Sequence, residues 1–289
     1  MTDETPRNAY GRCIERVIAH ICAHLEEDLS LTRLSEVAGF SKFHFHRQFS
    51  ASTGFTVAQF VRLVRLKRAA YLLAFDRSRS VLEVALDAGF GGPEAFARAF
   101  KEVHEQTPSE FQRSPRWAAW ASGRPLPSPS IERKMKPHIV QFPETRVAVL
   151  EHRGPPETLM MTVTRFIEWR RGCKDSPVAT HRTIGVAYDD PSATEPQDFR
   201  FDVCAELSGT LSPNAAGVVE KVIPGGRCVV ARHVGSTDAI GPSVRALYAE
   251  WLPASGEQPR DFPVFFDYIS RMPSVPEHEQ VTDIYLPLR

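Results

Sequence analysis

The sequence predicts a multidomain chain. An all-α N-terminal domain holds two helix-turn-helix units joined by a long helix. An α+β C-terminal domain follows, with duplicated βαββ-like units on an antiparallel sheet. Three observations carry this reading. At 289 residues the chain is longer than one ordinary domain. Helical patterning over residues 8–115 gives way, after a Pro-rich stretch, to short β-prone runs. Each half also contains its own repeat. Ala38-Gly39-Phe40 recurs 50 residues on as Ala88-Gly89-Phe90, and Phe45, Arg47 and Phe49 recur, one residue further, as Phe96, Arg98 and Phe100. In the second half Pro143, Arg146, His152 and Gly154 recur 81 residues on as Pro224, Arg227, His233 and Gly235. Glu168-Trp169 then recurs 82 residues on as Glu250-Trp251.

Taken in order, Leu31, Leu34, Val37 and Ala38 follow helical spacing, and Gly39 stops that helix with the left-handed residue a tight turn needs. Ser41 caps the next helix. There Phe45 and Phe49 lie four apart and belong to the core, while Lys42, Phe43, His46, Arg47 and Ser50 occupy the other face. A long helix from Thr56 to Ala74 follows, carrying Arg62, Arg65, Lys67 and Arg68. The second unit opens on the capping box Ser80-Val81-Leu82-Glu83 and turns at Gly89 to Gly92. Pro93 suits the first position of its second helix. Phe96 and Phe100 face inward there; Pro93, Glu94, Arg98 and Lys101 face outward. Gly91-Gly92 is a weaker cap than Ser or Asp. Thr107 to Glu110 caps a last short helix. A helix of this size fits the major groove, where Arg reads guanine edges and neighbours hold phosphates. Two such helices on a linker helix can enter grooves about 34 Å apart, so that one chain reads a two-part site as a monomer.

Residues 116–136 read as a stiff Pro-rich linker. Beyond it, Ile139–Gln141 with Val147–Glu151 suggests a hairpin, and Leu159–Arg171 a helix. Val218–Val222 with Cys228–His233, and Ile240–Leu252, repeat that order. A duplicated unit leaves a groove where its halves meet, a natural ligand site.

Residues 8–115 resemble the DNA-binding domain of the AraC/XylS family of bacterial transcription regulators. The matching residues are Ala38-Gly39-Phe40-Ser41, Phe49, Thr53-Gly54, Ala85, Ala88-Gly89-Phe90, Phe96, Arg98, Phe100-Lys101 and Thr107 to Arg113. The resemblance implies sequence-specific binding of double-stranded DNA. Residues 137–289 resemble the GyrI-like effector-binding domain, through Gly185 to Pro191, Phe201 to Cys204, Pro224 to Arg227, His233 to Gly235, Leu247 to Pro253 and Thr282 to Leu288. This order of domains is similar to that of Rob-like regulators. It implies an aromatic-lined pocket for a small-molecule effector, for which Tyr188, Trp251, Phe265, Phe266 and Tyr268 are candidate walls, with RNA polymerase as a further partner. Where the family pattern has Pro-x-x-Glu-x-Tyr, this chain reads Pro263-Val264-Phe265-Phe266-Asp267-Tyr268, so Phe266 stands at the acidic position. Glu206 is another candidate counter-charge. A hydrophobic or aromatic ligand is therefore expected, and a hydrolase lacks its proton carrier. The rival readings are a hydrolase of small hydrophobic electrophiles tethered to a DNA-binding domain, and a regulator whose second domain binds a protein.

Bulk features fit a cytoplasmic, nucleoid-associated regulator. Lys plus Arg and Asp plus Glu are 35 each, a net charge of zero, which alone argues against nucleic acid. The halves differ: residues 1–136 hold 20 basic and 15 acidic residues, residues 137–289 the reverse. Most of the positive excess lies in the linker, where five basic residues meet one acid. No apolar run reaches membrane-spanning length, and the acidic N-terminus is unlike a signal peptide. The five cysteines form no C-x-x-C pair and read as idle thiols. His20 and His24 have metal-compatible spacing but no further ligands at finger distances, so neither metal nor cofactor is expected. No phosphate-loop, dinucleotide or nucleophile-elbow motif occurs.

Overall fold

The computed structural model describes residues 6–117, 126–127, 135–270 and 273–289. Most of the expected linker lies outside the described residues. The chain divides into two compact units, Met1–Glu132 with Met272–Glu279, and Arg133–Arg271 with Gln280–Arg289.

The first unit contains α1 (Pro6–Ala23), α2 (Leu31–Ala38), α3 (Lys42–Thr53), α4 (Val57–Phe75), α5 (Val81–Asp87), α6 (Pro93–His104) and α7 (Pro108–Arg113). Their boundaries follow local chemistry. Ser30, Ser41, Thr56, Ser80 and Thr107 each accept a backbone N–H of the first helical turn, and the last three complete capping boxes with Gln59, Glu83 and Glu110. Gly39 and Gly89 take left-handed φ values of 71° and 74° at the turns of the two units. The cores are aromatic: Phe45, Phe49 and Phe60 are fully buried around the first turn, and Phe96, Phe100 and Phe111 around the second. Each such ring contributes roughly 2–3 kcal/mol of burial.

The second unit runs β1 (His138–Phe142), β2 (Thr145–Arg153), α8 (Leu159–Arg171), β3 (Thr183–Ala187), β4 (Arg200–Glu206), β5 (Val219–Ile223), β6 (Gly226–Val234), α9, β7 (Val264–Tyr268) and β8 (Val281–Pro287). Helix α9 is α-helical over Ile240–Ala246, π-helical over Leu247–Trp251 and α-helical again over Leu252–Ser255. One antiparallel sheet has the order β1-β6-β8-β7-β3-β4-β2-β5. An 81-residue shift reverses this order onto itself, so the duplication is a pseudo-two-fold whose axis passes between β3 and β7.

The expected hairpins do not form. β1 pairs with β6, and β2 pairs with β4 and β5, so the repeats exchange their first strands. The reason is the turn chemistry. A two-residue hairpin loop needs a positive φ at its first central residue, and Pro143 and Pro224 lock that angle near −65°. The chain therefore bends instead of reversing. β1 and β2 stand six strands apart, roughly 29 Å in a flat sheet at ~4.8 Å per strand. Three residue steps, Phe142 to Thr145, span at most ~11 Å. The sheet must curl until its two ends meet. The Pro143-Glu144 and Pro224-Gly225 connections touch there: a Cβ on Gly225 would lie 2.7 Å from the backbone nitrogen of Glu144.

The curl separates two cores. One face carries Leu150, Phe201, Val203, Phe266 and Ile284 under α8 and α9. The other holds Phe142, Val149, Ile184, Cys204, Phe265 and Tyr285. The helices are tied down identically. His152 Nδ1 accepts from the Thr162 hydroxyl at 2.9 Å, and its Nε2–H faces the carbonyls of Gly154 and Pro155. His233 repeats this with Ser243 at 2.9 Å and the carbonyl of Ser236.

Candidate functional site

On α3 the buried pair Phe45 and Phe49, with ring centroids 5.7 Å apart, fixes which face turns away from the core. Lys42, Phe43, His46 and Arg47 are exposed there, with His44 beside them. Phe43 is 86% exposed. A bare aromatic between cations suits thymine methyls and phosphates. Ser50 departs from expectation: its hydroxyl is enclosed and has no hydrogen-bond partner among the described residues, so it is not offered to a ligand.

The second unit repeats the geometry. Phe96 and Phe100 are fully buried with centroids 5.5 Å apart, leaving Pro93, Glu94, Arg98 and Lys101 exposed on α6. Gly92 caps α6 in extended geometry without a side-chain hydrogen bond, and Pro93 opens the helix, as the sequence suggested. Arg47 and Arg98 thus stand at equivalent outward places. The readers differ in charge: α3 offers Lys and Arg with two histidines, whereas the outward face of α6 carries Glu94 as well as its cations.

In the second unit the six expected ligand residues do not share one surface. Trp251, Phe266 and Tyr268 belong to the core under the helices. Phe265 and Tyr188 lie on the opposite face. Adjacent strand residues point to opposite sides, so Phe265 and Phe266 cannot line one wall. Phe265 is fully buried and stacks on Tyr285 at 5.0 Å. Tyr188 donates its hydroxyl to Asp202 at 2.9 Å, within a network in which Lys221 also reaches the nearly inaccessible Asp202 at 2.7 Å. Arg153 and Arg200 lie over the Tyr188 ring at 5.6 Å. Glu206 accepts the backbone N–H of Arg182 at 3.2 Å. These three residues are committed elsewhere.

Two residues missed from the sequence complete the helix-side surface. Gly185 pairs across the strands with Phe266, its own mate in the repeat. A Cβ on Gly185 would lie 2.5 Å from Phe201 and 2.9 Å from the Tyr268 hydroxyl. The glycine thus lets Phe201 and Tyr268 converge beside Phe266, which stacks on Phe201 at 6.4 Å and 14°. Burial pushes the Tyr268 hydroxyl above its ordinary pKa, so it stays protonated and able to donate. Both residues lie within phrases that resemble the effector domain, but only the backbone's close approach singles them out.

Three of the thiols are held protonated: burial raises Cys22 to about 12 and lifts Cys204 and Cys228. Among the described residues no helix is long and apolar enough to cross a membrane.

Residues 135–289 match the GyrI-like small molecule binding domain, and residues 15–114 match a helix-turn-helix domain. The probable transcriptional regulator YgiV of Escherichia coli K12 is 44% identical over 151 residues, 52% of this chain and 94% of that one. The right origin-binding protein of the same organism is 38% identical over 103 residues, 36% of this chain and 35% of that one. Among solved structures, the C-terminal domain of EcmrR has a TM-score of 0.45 and 16% identity, covering 54% of this chain and 98% of that one. With the GyrI-like match spanning more than half of its length, the chain belongs to the GyrI-like small molecule binding domain family and is a DNA-binding transcription regulator with a helix-turn-helix domain ahead of that module.

Proposed function

We propose that α3 and α6 enter successive major grooves of one duplex. Lys42, Phe43, His46 and Arg47 meet the first box, and Pro93, Glu94, Arg98 and Lys101 the second. The observation that carries this is the duplicated outward arginine over a duplicated buried Phe pair. One chain then suffices for a two-part site, and the bound regulator acts on RNA polymerase in the cytoplasm. The test begins with duplexes selected from a random pool by the full chain. Arg47→Ala and Arg98→Ala should each weaken binding by 1–3 kcal/mol, roughly five- to 150-fold, and relax base choice in a different box. Affinity should also fall steeply with salt. Unchanged binding in both variants would refute the docking.

For the second domain we infer an effector that is neutral and aromatic or apolar, bound beside Phe266, Trp251 and Tyr268 and not turned over. Phe266 occupies the place where a carboxylate would attract a cation or carry a proton, and its neighbours are rings. Melting shifts with matched neutral and cationic aromatic dyes test this. Neutral dyes should stabilise the chain and cationic ones should not, and Phe266→Glu should reverse the preference. Tighter binding of the cationic dye by the unaltered protein overturns the reading.

A further inference from the structure

Of the basic residues of α4, Lys67 is buried and pairs with Glu277, while the three arginines face neither core nor reader surface. Arg62, Arg65 and Arg68 recur every third residue, and each reaches out of its own helix. Arg62 pairs with Glu102 of α6. Arg68 pairs with Glu26, in the loop before α2, at 2.9 Å. Both pairs are solvent-facing, and such pairs contribute little. Arg65 is different. It is half-buried, its Nε donates to the Leu25 carbonyl at 2.9 Å, and its terminal nitrogen donates to the Glu27 carbonyl at 3.3 Å. The other edge of the same guanidinium lies against Gly89, where a Cβ would stand 2.8 Å from it.

These contacts belong to opposite ends of the unit. Leu25 and Glu27 precede the first helix-turn-helix, whereas Gly89 is the turn that leads into α6. The two repeated glycines reveal the asymmetry. Gly39 and Gly89 share a left-handed φ, yet a Cβ on Gly39 meets nothing within 4 Å. Gly39 serves conformation alone, and Gly89 also leaves room for the guanidinium. Beside this contact lies an open cavity of about 510 Å³, bordered by the 27–30 loop, α4 and the 88–90 turn. The loop that leads into the first helix-turn-helix and the turn that leads into α6 therefore meet over Arg65, beside a gap that packed side chains do not fill.

We propose that Arg65 is a positioning residue that fixes the distance and rotation between the two recognition helices, and so the spacing of the DNA boxes the chain accepts. This rests on the two-reader docking above. The planar fork suits the task because it is rigid and satisfies carbonyls on one edge while packing flat with the other. A lysine has one point of contact and cannot do both.

The test is selection of bound duplexes from a random pool by the full-length chain, carried out with the native protein, Arg65→Ala, Arg65→Gln and Arg65→Lys. The native protein should enrich two boxes at one separation. The variants should enrich the same two boxes over several separations. Their affinity for the native separation should drop about tenfold, the scale of a lost charge-assisted hydrogen bond, while affinity for a duplex holding one box stays unchanged. Arg65→Gln keeps a shortened stem and an uncharged donor group, and carries the test if Arg65→Ala does not fold. Unaltered separation in a folded variant overturns this inference and leaves the docking intact. Equal loss on one-box and two-box duplexes also overturns it, since that marks general destabilisation. If the native protein enriches no paired boxes, the docking itself fails.

Discussion

His104 closes α6 inside the aromatic core, stacked on Phe100 at 4.2 Å and against Phe111 at 5.1 Å. Burial lowers its pKa to about 4, opposed weakly by a hydrogen bond with the Leu66 backbone. The unfolded chain binds this proton near pH 6.5, but the folded chain holds the ring neutral until about pH 4. Stability is therefore full above 6.5 and drains away as pH falls toward 4, by about 3 kcal/mol in all. Urea denaturation across this range should show the loss in the native protein, and His104→Phe should lack that share of it. An identical slope in both would contradict the assignment. At this scale the sequence was only partly legible. The i, i+4 phenylalanines announced the buried face of each reader, so Arg47 and Arg98 could be placed in advance. The adjacent aromatics Phe265 and Phe266 could not be sorted, because composition does not say which side of a strand meets a ligand.

Among the elements, α9 is the unusual one. The repeat offset is 81 from Pro143 to Phe166, whose mate is the fully buried Leu247, then 82 at Glu168-Trp169, and 81 again from β3 onward. One residue has entered between Leu247 and Glu250, where the helix widens to π geometry. A π-turn is how a helix absorbs such an insertion, and it persists mostly where function keeps it. The widened turn lets Trp251 keep nearly the facing of Trp169. Deleting Ala249 should therefore restore an ordinary helix, with a melting temperature equal to or above that of the parent. Deleting Ile167 from the regular α8 should rotate Trp169 by about 100° and unfold the domain. Comparable melting losses for the two deletions would contradict this account. The changed offset was visible in the sequence, but it reads as a helical insertion only once the π-turn is seen. Helix ends were legible because caps and left-handed glycines act locally. Strand pairing was not, because a strand's alternation specifies its faces and not its partner. Pro143 and Pro224 did carry the veto on hairpins.

For the molecule as a whole, charge was a poor guide. The positive excess of the first half sits mostly in residues 116–136, so net charge by itself says little about DNA. The duplications said more, and they predicted the two-domain architecture before any strand order was known. The second duplication is imperfect at its centre. Gly185 faces its own repeat mate Phe266 across the two-fold, and an extra residue sits in only one of the two helices. A perfectly symmetric groove offers a guest two equivalent orientations, a degeneracy of RT ln 2, about 0.4 kcal/mol. It cannot tell head from tail. With a bare backbone on one side of the axis and a ring on the other, this chain gives up that small entropy and acquires polarity: a guest bound there has one preferred way round.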